Sequence, residues 1–195
     1  MTRLRERIAR SHGVVFSIYA TSAAFFTYFC MYAFRKPYSA GTYDGLSFYG
    51  TELDLKTAFA LSQLIGYTIS KYIGVRICSE RVGDGRARLL VQLILLAFAG
   101  LLLFGVLPEQ WKWLGLFVNG LPLGIIWGIC VSFLEGRKTS DALLAGLSCS
   151  YIVASGVMKD LGRWLMSDQG IPEFWMPFAA GALFLPGFLV SVWLL

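Results

Sequence analysis

An all-α membrane protein with six transmembrane helices is what this chain predicts, on three observations. Of its 195 residues, 56% are hydrophobic and only 15% are charged, too little polar surface for a soluble domain of that size. The apolar residues gather into runs of about 20, the length a helix needs to cross a bilayer core. The basic residues concentrate in alternate segments between those runs, as membrane topology demands.

The runs can be taken in order. Residues 13–34 are uncharged and follow a basic tail bearing Arg3, Arg5, Arg7 and Arg10. That start resembles a secretory signal, but the apolar run is too long and no small-residue cleavage site follows, so an uncleaved first span is expected. The second span, 57–75, carries Lys71 toward one end. The third, 89–108, has Gln92 as its polar side chain. The fourth, 113–134, is uncharged and carries Gly120, Gly124 and Gly128, a small-residue track that lets a neighbouring helix approach closely. The fifth, 142–161, has Lys159 and Asp160 toward one end, and the sixth, 174–195, has Ser191. Six spans use nearly the whole chain and leave no room for a soluble domain.

Charge sets the expected orientation. With the N-terminus inside, the inner segments hold Arg3, Arg5, Arg7, Arg10, Arg76, Arg81, Arg86, Arg88, Arg137 and Lys138, and the outer ones only Arg35, Lys36, Lys56, Lys112 and Arg163. Trp111, Trp113, Trp164 and Trp175 then fall at outer helix ends, as an aromatic belt does. A multi-pass membrane protein with both termini cytoplasmic and lipid as its surrounding partner is the expectation. The net charge of +5 is spent on topology, so it does not point to nucleic acid.

Polar residues fall in register along some spans. At 100° per residue, Ser17, Thr21, Tyr28, Tyr32 and Arg35 lie within about 60° of arc on the first. Gln63, Tyr67, Ser70, Lys71 and Gly74 lie within roughly 100° on the second, and Ser148, Tyr151, Ser155 and Lys159 within about 80° on the fifth. Spans one, two, four and five are therefore expected to share an aqueous cleft, with three and six outside them. Two inner helices and one outer helix, twice over, is a three-plus-three pattern.

Three cations on those stripes need an account, because a cation at mid-bilayer costs at least about 2.5–3.5 kcal/mol on insertion scales. Arg35 can be read as a snorkelling anchor at the outer end of its span or as an anion site, and its continuation of the hydroxyl stripe favours the second. Lys71, two-thirds along its span beside Ser70 and Gly74, is expected in the cleft. Lys159 and Asp160 point about 100° apart, so a functional and a structural reading of that pair both stand. Tyr28, Tyr32, Gln63 and Tyr67 complete the candidate substrate-binding set with Arg35, Lys71 and Lys159. The cysteines (Cys30, Cys78, Cys130, Cys149) are scattered, which argues neither disulfide nor metal, and His12 sits at a membrane boundary. No span holds paired carboxylates or a nucleophile–base set, so neither an enzyme nor a cofactor is expected.

Three strings carry a family resemblance. The segment from Gly74 to Arg88, with Glu80, Arg81 and Gly83 in order and Arg86 and Arg88 beyond, resembles the loop between the second and third helices of the major facilitator superfamily. Tyr32-Ala-Phe-Arg35-Lys36 and Ser70-Lys71-Tyr72-Ile73-Gly74 resemble the organophosphate–phosphate antiporter branch of that superfamily. MYAFRKPYSAGTY and FLEGRKTSDALLAGLS resemble an uncharacterised bacterial group of facilitator-like proteins.

The resemblance implies that Glu80, Arg81 and Gly83 form a conformational latch, that Arg35 contacts a phosphate and that Lys71 lines the pathway. It implies half of a major facilitator fold, a nested three-plus-three inverted repeat. The glycine-to-acid spacing of the loop departs from the superfamily pattern. Because the superfamily has two six-helix halves, residues 1–195 are expected to be the N-terminal half of a truncated chain whose partner is the missing C-terminal half. The expected function is a secondary transporter moving a small anionic metabolite by alternating access, with phosphorylated metabolites among the candidates. A transporter-like solute sensor and a self-contained six-helix channel are the alternatives.

Overall fold

The spacing of the apolar runs is realised as helices. The computed structural model of the protein describes residues 13–80, 85–134 and 140–194. Among them are six α-helices: α1 (Gly13–Tyr32), α2 (Leu55–Glu80), α3 (Gly85–Val106), α4 (Lys112–Leu134), α5 (Ser140–Ser167) and α6 (Met176–Leu194). Short 3-10 turns at Pro37–Ala40, Phe48–Gly50 and Glu109–Trp111 fill the connections, and the described residues hold no β-strand. The chain is thus all-helical. Three of the helical segments, Gly85–Val106, Glu109–Val131 and Met176–Leu194, are long and apolar enough to cross a membrane. Polar side chains such as Gln63 and Lys71 on α2, and Lys159 on α5, reduce the apolarity of their helices.

The helix ends follow local chemistry. Leu107-Pro108 stops α3, since proline disfavours helical geometry in the residue before it. The freed carbonyls of Phe104 and Gly105 accept hydrogen bonds from Lys112 Nζ at 2.9 and 3.1 Å, a cation closing a helix C-terminus. A lysine that counts toward topology in the sequence is therefore a buried cap in the fold.

Helix α2 packs along α4, α4 along α3, α1 along α5 and α6, and α3 along α6, while α1 also touches α4. Missing side chains permit the closest of these contacts. A Cβ on Gly66 would meet the Phe117 carbonyl, one on Gly120 the Gln63 carbonyl, and one on Gly124 the Tyr67 carbonyl. Gly100 and Gly115 make the same kind of approach between α3 and α4. Where lipid is the solvent, such close backbone contact supplies the van der Waals attraction that associates helices. The exposed large hydrophobic residues of α3 and α6 include Leu95, Leu102, Leu183 and Val190. Gln92 is also exposed, whereas Ser191 is buried and spends its hydroxyl on Phe188 O at 2.8 Å.

The long connection between α1 and α2 is folded into the bundle. Tyr43 is 3% exposed, takes a left-handed backbone (φ 53°) and packs on the rings of Phe59, Phe174 and Phe104. Its hydroxyl donates to Tyr38 O at 2.9 Å. The Glu173 carboxylate, just before α6, accepts from Thr42 N at 2.9 Å, Thr42 Oγ1 at 3.1 Å and Tyr43 N at 3.2 Å. One ring and one carboxylate thereby tie this connection to α2, α3 and the start of α6.

Candidate functional site

The site is built where α1 stops. Past Tyr32 the chain turns, with Arg35 N and Lys36 N both donating to Tyr32 O, at 3.0 and 2.9 Å. Gln63 Nε2 of α2 donates to Arg35 O at 3.1 Å and so holds that turn against α2. The Arg35 guanidinium carbon lies 4.0 Å from the centre of the Tyr67 ring and 5.6 Å from that of Tyr32. Tyr67 stands about 18 Å along α2 from Leu55, at 1.5 Å per residue, so the guanidinium sits beside the middle of α2.

Lys71 shares the same ring. Its Nζ is 5.0 Å from the Tyr67 centroid and 4.9 Å from that of Trp127 on α4. Tyrosines extend the lining: Tyr28 meets Tyr32 at 5.5 Å between centroids and Tyr151 of α5 at 6.4 Å. Among the described residues the one close ion pair joins Asp160 to Arg163 at 3.2 Å within α5, and it is exposed. No described carboxylate is therefore within ion-pair distance of Arg35, Lys36, Lys71 or Lys159. Aromatic faces supply the local negative potential instead, through the ring quadrupole.

The structure brings Arg35, Lys71, Tyr28, Tyr32 and Tyr67 together, with Gln63 behind them. Gln63 is 5% exposed and its amide nitrogen is committed, to Arg35 O and to Asn119 Oδ1 at 2.8 Å. It supports the site from inside the bundle. Lys159 stands on α5, two turns beyond Tyr151. Glu80 closes α2, but its side chain, and all of Arg81 and Gly83, lie outside the described residues.

Two partners escaped the sequence reading. Trp127 and Asn119 both lie in the uncharged run 113–134, Asn119 next to Gly120. Asn119 is fully buried and donates from Nδ2 to Ala97 O at 2.9 Å, linking α3 to the Gln63 relay. A lone amide in an apolar helix is itself a signal, because it must find a hydrogen-bond partner there. Among the described residues no cluster of His, Cys, Asp or Glu could hold a metal ion.

Outside the membrane-spanning helices, burial lowers the Lys36 pKa below the usual lysine value, with further lowering from Arg35 and Lys159. Arg35 and Lys71 thus gather on the Tyr67 ring in a cationic cluster bordered by Tyr32 and Trp127.

No curated protein and no solved structure matches the chain. A family model described as a family of unknown function matches residues 37–195, from the α1–α2 connection through α6. The chain belongs to that family, DUF5690.

Proposed function

We propose that the chain is a six-span half of a facilitator-type secondary transporter, moving a small anionic, phosphate-bearing solute by alternating access. The observation that carries this reading is the pair of cations on one tyrosine ring: Arg35 and Lys71 on Tyr67, beside mid-α2, with no described carboxylate to neutralise them. Such charges in a membrane are kept when they face water, a partner or a ligand. A bound anion would offset the charge of both. Arginine suits phosphate because its planar fork donates two parallel hydrogen bonds, whereas lysine acts as a point charge.

The pairing of helices supports a three-plus-three repeat. Exchanging α1 with α4, α2 with α5 and α3 with α6 turns the α2–α4 contact into α5–α1 and the α3–α4 contact into α6–α1. The α3–α6 and α1–α4 contacts map onto themselves. The α5–α6 contact has no counterpart of like extent between α2 and α3. An inverted repeat of three helices produces this kind of exchange. The alternating basic segments support six spans with the N-terminus inside, and the resemblance to bacterial facilitator-like proteins supports a bacterial inner membrane. Exposed Trp111, Trp164 and Trp175 suit the outer headgroup level.

The test is binding or uptake by the full-length protein in vesicles, comparing anionic with neutral solutes of matched size. Arg35→Lys should lose most of the anion response while insertion and expression stay intact, and Lys71→Ala should lose less. An Arg35→Lys protein that handles every solute as the parent does would reduce Arg35 to an interfacial anchor and end the reading.

A further inference from the structure

The cations near Arg35 outnumber what one phosphate needs. A phosphate ester carries about −1.5 to −2 charge at neutral pH, which Arg35 and Lys71 already match. Lys36 and Lys159 remain. We propose that Lys36 and Lys159 form a second anion subsite beside Arg35, so that the site takes a solute with two anionic groups, such as two phosphoryl groups or a phosphoryl and a carboxyl. This rests on the anion-binding reading of Arg35 and Lys71.

The geometry comes from how α5 meets the turn after α1. A Cβ on Gly162 would press on Ala40 Cβ and approach Pro37 O at 3.3 Å, so α5 lies directly on the Pro37–Ala40 turn. Lys159 is three residues before Gly162 and therefore one turn along the same face. That is the direction in which the chain runs back from Pro37 to Lys36 and Arg35. Farther along that stripe, Tyr151 meets Tyr28 of α1, which sets the rotation of α5. Lys159 is half-buried, as is Lys36. The carboxylate nearest to Lys159 in sequence, Asp160, is engaged by Arg163 at 3.2 Å. Electrostatics agrees: burial first, and then Arg35 and Lys159, disfavour the charged form of Lys36. Arg35 thus stands between two cation sets: Lys71 on the α2 side, and Lys36 with Lys159 on the α5 side.

The experiment measures binding of orthophosphate and of pyrophosphate to the full-length protein in lipid nanodiscs at constant ionic strength. The parent should hold pyrophosphate about tenfold or more tighter, the increment of at least one added charge-assisted contact. Lys159→Gln and Lys36→Gln should each erase most of that preference, lowering pyrophosphate affinity by a larger factor than orthophosphate affinity. Lys159→Arg should restore it, whereas Arg35→Lys should weaken both anions. Equal affinity of the parent for the two anions overturns the second subsite alone. So does an equal loss of both anions in Lys159→Gln. Failure of the parent to bind either anion removes the first reading together with this one.

Discussion

Gln63 Nε2 donates to Asn119 Oδ1 at 2.8 Å, and both residues are buried between α2, α3 and α4. The same Gln63 nitrogen reaches Arg35 O, and Asn119 Nδ2 reaches Ala97 O. One pair of amides therefore joins three helices and the turn after α1 at the level where the cations stand. Its value lies in what an orphaned member costs. A buried amide without its partner loses about 1–3 kcal/mol.

The first prediction is a coupling. Asn119→Leu and Gln63→Leu should each lower the melting temperature of the protein in detergent, by a destabilisation of about 1–3 kcal/mol. The double variant should cost less than the two together, since no amide is then left unpaired. Thermal unfolding of the four proteins measures the coupling. Strict additivity would mean that the two amides do not depend on each other.

The second concerns Tyr43 and pH. Burial, then the Glu173 carboxylate and Tyr38, push the Tyr43 phenol well above its ordinary value. The folded state keeps the proton where the unfolded chain gives it up. Stability from this group is therefore full below the unfolded pKa of about 10 and falls as pH rises beyond it. Tyr43→Phe keeps the ring and removes the titrating group, so the alkaline fall in melting temperature should be shallower in that variant. An identical slope in both proteins would exclude Tyr43 as a contributor.

The third concerns the α2–α4 contact. A Cβ on Gly124 would lie 2.6 Å from the Tyr67 carbonyl, whereas one on Gly156 of α5 would meet nothing within 4 Å. Gly124→Ala should cost about 1–3 kcal/mol by overpacking. It should also weaken anion binding, because it displaces the ring under Arg35 and Lys71. Gly156→Ala should be neutral or slightly stabilising, by up to about 1 kcal/mol from helix propensity. Melting and binding of the two variants, compared with the parent, check this. A Gly124→Ala protein as stable as the parent would place slack between α2 and α4.

By itself the sequence determined where the helices run. The span read at 57–75 lies inside Leu55–Glu80, that at 89–108 overlaps Gly85–Val106, and that at 142–161 lies inside Ser140–Ser167. A helix is closed by hydrogen bonds four residues apart, so apolar runs and their interruptions locate it without reference to the rest of the chain. The stripe of Tyr28, Tyr32 and Arg35, and that of Tyr67 and Lys71, were legible for the same reason. Only the tertiary structure decided which side chains meet across helices. It set Trp127 against Lys71, joined Asn119 to Gln63, turned Lys112 into a cap on α3 and folded Tyr43 among Phe59, Phe104 and Phe174. It also set Arg35 beside the middle of α2, although Arg35 closes the first apolar run in sequence. Those contacts depend on the order in which helices pack and on the rotation of each about its axis. Both are properties of pairs of helices, and periodicity along any one of them leaves both undetermined.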